Sequence, residues 1–118
     1  MADSQEFVAP EAQKIINALG VMPELTGERQ WSVHLAEVTG EDVVFSYDTQ
    51  WRSVRIVWNT PEGAPRVKLF REGAKLLRVA EERGETSLIV EFGTRDSDGT
   101  LTLQVFPAVA ISDEVMLS

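Results

Sequence analysis

The chain contains no cysteine and only one histidine among its 118 residues. Without thiols, disulfide bonds, thiolate chemistry and cysteine-based zinc sites are excluded. A single imidazole also argues against a catalytic triad or a histidine-rich metal site. We therefore predict a non-enzyme with no cofactor and no metal. We interpret His34, on the outward side of a predicted strand, as a surface residue.

Long hydrophobic runs are also missing. No apolar run approaches the roughly 18 residues of a membrane span, and the N-terminus, Met1–Glu6, lacks the basic start of a secretory signal. No phosphate loop, dinucleotide fingerprint, zincin helix or nucleophile elbow occurs. These absences, with a composition that suits a reducing compartment, lead us to predict a cytoplasmic protein that binds no membrane.

Positive charge is scarce, because 11 Lys and Arg face 19 Asp and Glu, a net charge of −8. This acidity disfavours binding to nucleic acid. Six of the cations nevertheless fall within residues 61–85, beside five acidic residues. The cluster either balances its acidic neighbours or docks an acidic partner or phosphate groups. Five of these six cations, together with one tryptophan, form the candidate partner-binding patch: Arg66, Lys68, Arg71, Lys75, Arg78 and Trp51.

The length fits a single domain, residues 1–118, with a loose N-terminal tail over residues 1–8. Pro10–Leu19 is predicted to be a helix because Ala12, Ile15, Ile16 and Leu19 share one face, and Gly20 suits its C-terminus.

The clearest β signal runs from Thr86 to Phe106. Apolar residues alternate with polar ones on both sides of Asp96–Gly99, which predicts a hairpin with its turn there. After Pro107, a further alternation predicts an edge strand or a segment that crosses an open end of the sheet. Asp96–Thr100 also resembles the start of a calcium loop, but Pro107 stands where the twelfth-position Glu would be needed, so we favour a plain turn.

Three strands are predicted before this hairpin. Trp31–Val38, Val43–Tyr47 and Val54–Trp58 alternate in the same sense, with turns at Val38–Gly40 and Asp48–Trp51. The expected facing pairs are Leu35 with Val43, Val33 with Phe45, and Phe45 with Val54. Trp31 and Trp58 are interpreted as core residues. We also favour the core for Trp51, although an exposed tryptophan would suit a binding hot spot.

Residues 66–83 allow two interpretations. A helix would carry Gly73 in its middle and lack an N-cap residue, whereas a hairpin would turn at Arg71–Ala74 and put Phe70 beside Leu76. We favour the hairpin. With a helix, the element order is similar to that of the small acidic chaperones of type III secretion. With a hairpin, Val54–Trp58 and Phe70–Gly73 resemble part of a fibronectin type III module.

The predicted fold class is α+β: an N-terminal helix followed by a mostly antiparallel sheet of six to seven strands, either open or curled into a sandwich or half-barrel. The outward side of the sheet is not fully polar, and one helix cannot cover both sides. Either the sheet folds over or a second subunit covers it, and we expect a homodimer. The apolar outward residues are Val44, Val57, Ile89 and Phe106.

Three functions remain open at this point. The first, which we favour, is a non-catalytic protein-binding module of inhibitor, immunity or chaperone type. The second is a small-ligand or minor enzyme domain with Tyr47, Trp58 and Arg52 near one mouth of a pocket inside the sheet. The third is an accessory subunit of a larger assembly. The carboxylates Glu81, Glu82 and Glu85, like Glu41 and Asp42, are interpreted as solvated charges rather than as acid–base catalysts.

Overall fold

The computed structural model describes residues 6–93 and 97–117. It contains two helices, α1 (Ala12–Leu19) and α2 (Ala36–Thr39), and nine strands. The strands are β1 (Glu24–Thr26), β2 (Gln30–His34), β3 (Asp42–Asp48), β4 (Ser53–Asn59), β5 (Pro65–Glu72), β6 (Ala74–Glu82), β7 (Glu85–Gly93), β8 (Ser97–Phe106) and β9 (Ala110–Leu117).

The strands form two antiparallel sheets. The five-stranded sheet has the order β1-β2-β3-β4-β5, and the four-stranded sheet has the order β6-β7-β8-β9. One side of each sheet contributes to a shared hydrophobic core, to which α1 adds Ile15 and Leu19. The predicted fold class is therefore confirmed, and the sheet does fold over on itself.

Helix α1 follows the predicted apolar stripe and begins two residues after Pro10. Ile15 and Leu19 are its buried residues, and Gly20 ends it with a left-handed conformation (φ 77°) while its N–H donates to the Ile16 carbonyl at 2.8 Å. Glycine adopts this conformation without steric cost. No helix in the described ranges is long and apolar enough to cross a membrane.

The predicted hairpin over Thr86–Phe106 is confirmed as β7 and β8, with Leu88 opposite Leu103 and Val90 opposite Leu101. The turn is placed differently. Asp98 pairs with Gly93, so the segment 97–99 belongs to β8. Asp96 lies outside the described residues. The edge strand predicted after Pro107 is confirmed as β9.

The registers of the first strands are partly as expected. Val33 faces Phe45, and the Leu35 N–H donates to the Val43 carbonyl. Phe45, however, faces Ile56 rather than Val54. The reason is the β3–β4 turn, which closes with Asp48 opposite Ser53 rather than opposite Trp51 and includes Arg52 with a positive φ of 52°. A shift of two residues keeps the inward residues inward.

The strand predicted over Trp31–Val38 is too long. β2 ends at His34, and the single helical turn α2 replaces the expected three-residue turn at Val38–Gly40. Thr39 stabilises this turn because its hydroxyl donates to the Leu35 carbonyl at 2.7 Å. Gly40 closes it with a φ of 75°.

Residues 66–83 form strands, so the helical interpretation is wrong, and with it the chaperone-like element order. The hairpin pairing is also wrong. β5 pairs with β4, β6 pairs with β7, and the chain passes between the sheets at Gly73, whose φ is 88°. The Gly73 and Ala74 N–H groups both donate to the Arg52 carbonyl at 3.0 Å. Phe70 therefore lies in a different sheet from Leu76.

The expected loose tail is corrected at its last residues. Phe7 is buried, with 5% of its surface exposed, and belongs to the core. The Val8 N–H donates to the Lys75 carbonyl at 3.0 Å, and the Val8 carbonyl accepts from Leu77 N–H at 2.8 Å. This segment thus runs parallel to the start of β6.

Candidate partner-binding face

The structure does not bring the predicted basic patch together on one surface. Arg66 and Lys68 lie on β5 of the five-stranded sheet, whereas Lys75 and Arg78 lie on β6 of the other sheet. Arg71 follows the inward alternation of β5. A role of these residues in partner binding stays a prediction.

Three of the five cations contact a carboxylate within the chain. The Arg66 guanidinium lies over the Trp58 ring, 5.0 Å from its centroid, and 3.9 Å from a Glu41 oxygen. The same Glu41 oxygen accepts a 3.1 Å hydrogen bond from the Trp58 indole N–H. Arg78 donates to Glu91 at 3.2 Å. Charge balance thus explains the positions of Arg66 and Arg78.

Arg71 links the two sheets. Its Nη1 donates to the carboxylate of Asp113 on β9, and its guanidinium lies 4.1 Å from the centroid of the Phe92 ring on β7. The exposed fractions of the Arg71 and Asp113 side chains are 20% and 30%. Arg71 is therefore shielded from partners and contributes to the packing of one sheet on the other.

Lys68 belongs to a different group of residues, on the outward side of the five-stranded sheet. Two rows of facing residues run across the strands there. One row is Ser32, Ser46, Arg55 and Phe70, and the next is His34, Val44, Val57 and Lys68. These eight residues are called the outer face below.

The serines form the floor of the outer face. The hydroxyls of Ser32 and Ser46 hydrogen-bond at 2.9 Å, and Thr26 contacts Ser32 at 3.1 Å. Both serines are buried although they point away from the core. The serine side chains are short, whereas the neighbouring Arg55 and Phe70 side chains are long, so the outer face protrudes further from the sheet at β4 and β5 than at β2 and β3.

Arg55 and Phe70 form the raised part of the outer face. The Arg55 guanidinium lies 5.2 Å from the centroid of the Phe70 ring, in the range of a cation–π contact. Phe70 keeps 53% of its surface exposed, and Arg55 is exposed as well. Arginine next to an aromatic ring is a frequent composition at the centre of protein interfaces.

Sequence inspection missed this pair because it depends on the β4–β5 register. The two residues are directly opposite only when β5 pairs with β4, whereas the predicted hairpin paired 66–71 with β6. The signal that could have revealed it is the alternation of β5, in which Lys68 and Phe70 share one side and Val67 and Leu69 the other.

Trp51 is exposed at the β3–β4 turn, with 67% of its surface accessible, so the core interpretation of Trp51 is wrong. The turn is held by Asp48, whose Oδ1 accepts from the N–H groups of Gln50 and Trp51 at 2.9 and 3.0 Å. Trp51 lines an open hollow of about 510 Å³ between this turn and the β1–β2 turn. Its other lining residues are Thr26, Gly27, Glu28, Arg29, Gln30 and Asp48.

Of the remaining predictions about aromatic residues, some are confirmed and one is wrong. Trp31 and Trp58 pack against the core, as expected. Tyr47 and Trp58, however, do not share a pocket mouth with Arg52. Tyr47 faces Val54 at one end of β4, whereas Trp58 lies four residues further along, about 13 Å away. Tyr47 is buried, and this desolvation raises the pKa of its phenol.

The other titratable candidates are solvated. His34 is exposed, as predicted, and Glu81, Glu82 and Glu85 are exposed around the β6–β7 turn. Asp98 and Gly99 pair within the hairpin instead of forming a calcium loop. Among the residues that the structure describes, no three His, Asp or Glu side chains are grouped so that they could hold a metal ion.

No protein-family model and no curated protein matches this chain. Its fold is similar to that of a chain in a solved structure described as a contact-dependent growth inhibition toxin–immunity protein complex from Klebsiella pneumoniae 342. The TM-score is 0.79 at 12% sequence identity, and the alignment covers 93% of this chain and 97% of the other. The likeness extends over nearly the whole of both chains and defines a shared fold.

Proposed function

We propose that this protein is an immunity-type inhibitor that binds and neutralises a protein toxin without catalysing a reaction. The observation that carries the proposal is the end-to-end similarity of its fold to a chain of a toxin–immunity complex. A complex of that kind contains a toxin and an immunity protein, so both roles are candidates for this chain. The composition favours the immunity side, because the chain offers no cysteine and a single, exposed histidine for chemistry.

The architecture supports a binding role in a second way. Two packed sheets provide rigid surfaces whose backbone is held by regular pairing, which keeps the entropy cost of association low. Exposed aromatic side chains occur on that scaffold at Trp51 and Phe70. An inhibitor of this kind acts by covering its target, so affinity and surface complementarity determine its activity.

Growth protection tests the proposal. The gene would be co-expressed with each candidate toxin domain from its neighbouring genes, and growth would be compared with that of cells that express the toxin domain alone. We expect full protection, and a complex between the purified chain and an inactivated toxin domain in isothermal titration calorimetry. An unrelated toxin domain serves as the specificity control. Growth arrest despite expression of the folded chain, with no heat of binding, would refute the proposal.

We further propose that the free chain is a homodimer. The half-buried Ile89 lies on the outward side of the four-stranded sheet, so a second copy that packs there leaves the five-stranded sheet open. Size-exclusion chromatography with light scattering should give twice the 13.1 kDa mass of the chain. A monomer at every concentration would contradict this part of the proposal and leave toxin binding intact.

A further inference from the structure

We infer that the outer face is the surface that docks the toxin, and that it fits an acidic segment of that partner. The inference rests on the proposed function and adds the location of the interface and the charge of its other side. It runs against the expectation from net charge alone, since a chain of charge −8 would be expected to prefer a basic partner.

The arginine and lysine side chains of the chain differ in whether they form an ion pair. Arg66, Arg71 and Arg78 each have a carboxylate within 4 Å. Within residues 6–93 and 97–117, Arg55 and Lys68 form no ion pair, and both are exposed. These two cations of the five-stranded sheet, which form no ion pair in the described residues, therefore lie on the same side of it.

Arg55 and Lys68 also lie close to each other. Arg55 faces Phe70 and Val57 faces Lys68, so Arg55 and Lys68 are diagonal neighbours on adjacent strands. Diagonal neighbours in an antiparallel pair lie about 7–8 Å apart. Two carboxylates on one turn of a helix, or on alternate residues of a strand, match this separation.

Apolar side chains surround these two cations. Phe70 stands exposed beside Lys68, and Val44 and Val57 form a half-buried strip on the adjacent row. A partner that covers Phe70 removes water from the Arg55 guanidinium stacked on it, which strengthens an ion pair formed there. His34 lies at the end of the row that contains Val44 and Val57, and its imidazole adds a hydrogen-bonding group that carries no negative charge.

The overall negative charge does not prevent this docking. At physiological salt, charges interact over about 8 Å, so the contact is governed by local charge. Three exposed carboxylates border the outer face, at Glu24 opposite Ser32, at Glu72 beyond Phe70 and at Asp42 beyond Val44. They disfavour an acidic segment that is displaced from the two cations, which adds specificity.

Charge reversal tests the inference. The probe is the toxin domain against which the chain protects, in an inactivated form, in calorimetry at about 150 mM salt. Lys68→Glu should weaken binding by about tenfold, and Arg55→Glu with Lys68→Glu by about a hundredfold, because each variant places like charges across the interface. Lys14→Glu, on the exposed side of α1, makes the same charge change as Lys68→Glu and should alter binding by no more than about threefold.

Further variants examine the apolar part and the fold. Phe70→Ala should weaken binding by about tenfold or more, because it removes exposed aromatic surface and the support for Arg55. Unchanged circular dichroism and melting curves would show that the variants fold, as expected for exposed positions. An acidic-to-lysine change in the toxin that restores binding to Lys68→Glu would identify the opposing carboxylate.

The outcomes separate the two proposals. Wild-type binding that is unaffected by the three variants, or tightened by charge reversal, overturns the outer face as the docking site and leaves the immunity function standing. A light-scattering dimer that Lys68→Glu dissociates, with toxin binding unchanged, assigns the face to a second copy and also overturns the inference. No binding by the wild-type chain refutes both proposals.

Discussion

The contact of Arg71 with Asp113 and Phe92 predicts that one side chain carries much of the attachment between the two sheets. Arg71 reaches from the edge strand β5 to residues on β7 and β9, which belong to the other sheet. Gly99 lies beneath it, since a methyl group at that position would come within 3.0 Å of the Arg71 Nη2. We therefore consider the change Arg71→Ala.

The expected loss follows from the two contacts and their exposure. A hydrogen bond between charged groups contributes about 1.5–3 kcal/mol, and a partly desolvated cation–π contact up to about 2 kcal/mol. The contributions overlap because one guanidinium makes both, and Asp113 regains water after the change. We expect Arg71→Ala to lower the free energy of unfolding by about 2–3 kcal/mol, which lowers the melting temperature by about 8–12 °C in a domain of this size.

Arg78→Ala is the matched control. Arg78 pairs with Glu91 at 3.2 Å, but within one sheet and with 47% and 44% of the two side chains exposed. An ion pair of this exposure contributes about 0.5 kcal/mol or less. The comparison separates a link between sheets from an ordinary surface ion pair.

Urea unfolding followed by tryptophan fluorescence measures both changes. A double-mutant cycle with Asp113→Asn should give a coupling energy of about 1–2 kcal/mol for Arg71. Arg71 does not link the two sheets if Arg71→Ala and Arg78→Ala lower the free energy of unfolding equally, or if the effects of the Arg71 and Asp113 changes on that free energy are additive.

Three further predictions concern packing and pH. Gly99→Ala should lower the free energy of unfolding by about 1–3 kcal/mol, because the new methyl would lie 2.8 Å from the Glu114 carbonyl oxygen. Gly93→Ala meets only the flexible Lys75 side chain and should lower it by about 0.5 kcal/mol or less. Equal melting temperatures for the two variants would contradict this prediction. In urea unfolding, Phe7→Ala should lower the free energy of unfolding by about 3 kcal/mol, because Phe7 is buried. Val8 is 54% exposed, so Val8→Ala should lower it by about 0.5 kcal/mol or less. An unchanged free energy of unfolding for Phe7→Ala would show that the N-terminal segment is not anchored. Because burial raises the pKa of Tyr47 above its ordinary 10.0, its contribution to stability is fully present below that pH and is lost as the pH rises through the folded-state pKa. Tyr47→Phe lacks this titration, so its unfolding free energy should fall less steeply above pH 10 than that of the wild type, and parallel pH profiles would contradict the assignment.

Much of the fold could be predicted because its strands carry a strong period-two alternation. Leu88, Val90, Leu101 and Leu103 alternate with polar residues, and this alone places them on the inward side of a hairpin. The same holds for Val33 and Phe45. Burial of one side of each strand selects these patterns, so the inward set survives even where the register is shifted by two residues, as at Phe45 and Ile56.

The candidate site could not be predicted, because its residues are joined by strand pairing between distant segments. Arg55 and Phe70 are both outward residues, and neither carries a local sign of the other. Arg71 sits in a basic cluster that looks solvated in sequence, yet its carboxylate partner is Asp113, far along the chain. The sequence favoured the core for Trp51 because large aromatic side chains are usually buried, whereas the turn held by Asp48 exposes it.

Alternation in the sequence determined which residues of each strand face inward, because the energy of burying apolar groups acts on every strand separately. Tertiary structure decided which strands belong to which sheet, and the chain crosses between the two sheets at one residue. Gly73, with its φ of 88°, carries the chain from β5 in one sheet to β6 in the other, where a local hairpin was equally compatible with the pattern. The choice depends on the closing of one core between two sheets, and long-range packing of that kind leaves no periodic mark on the sequence.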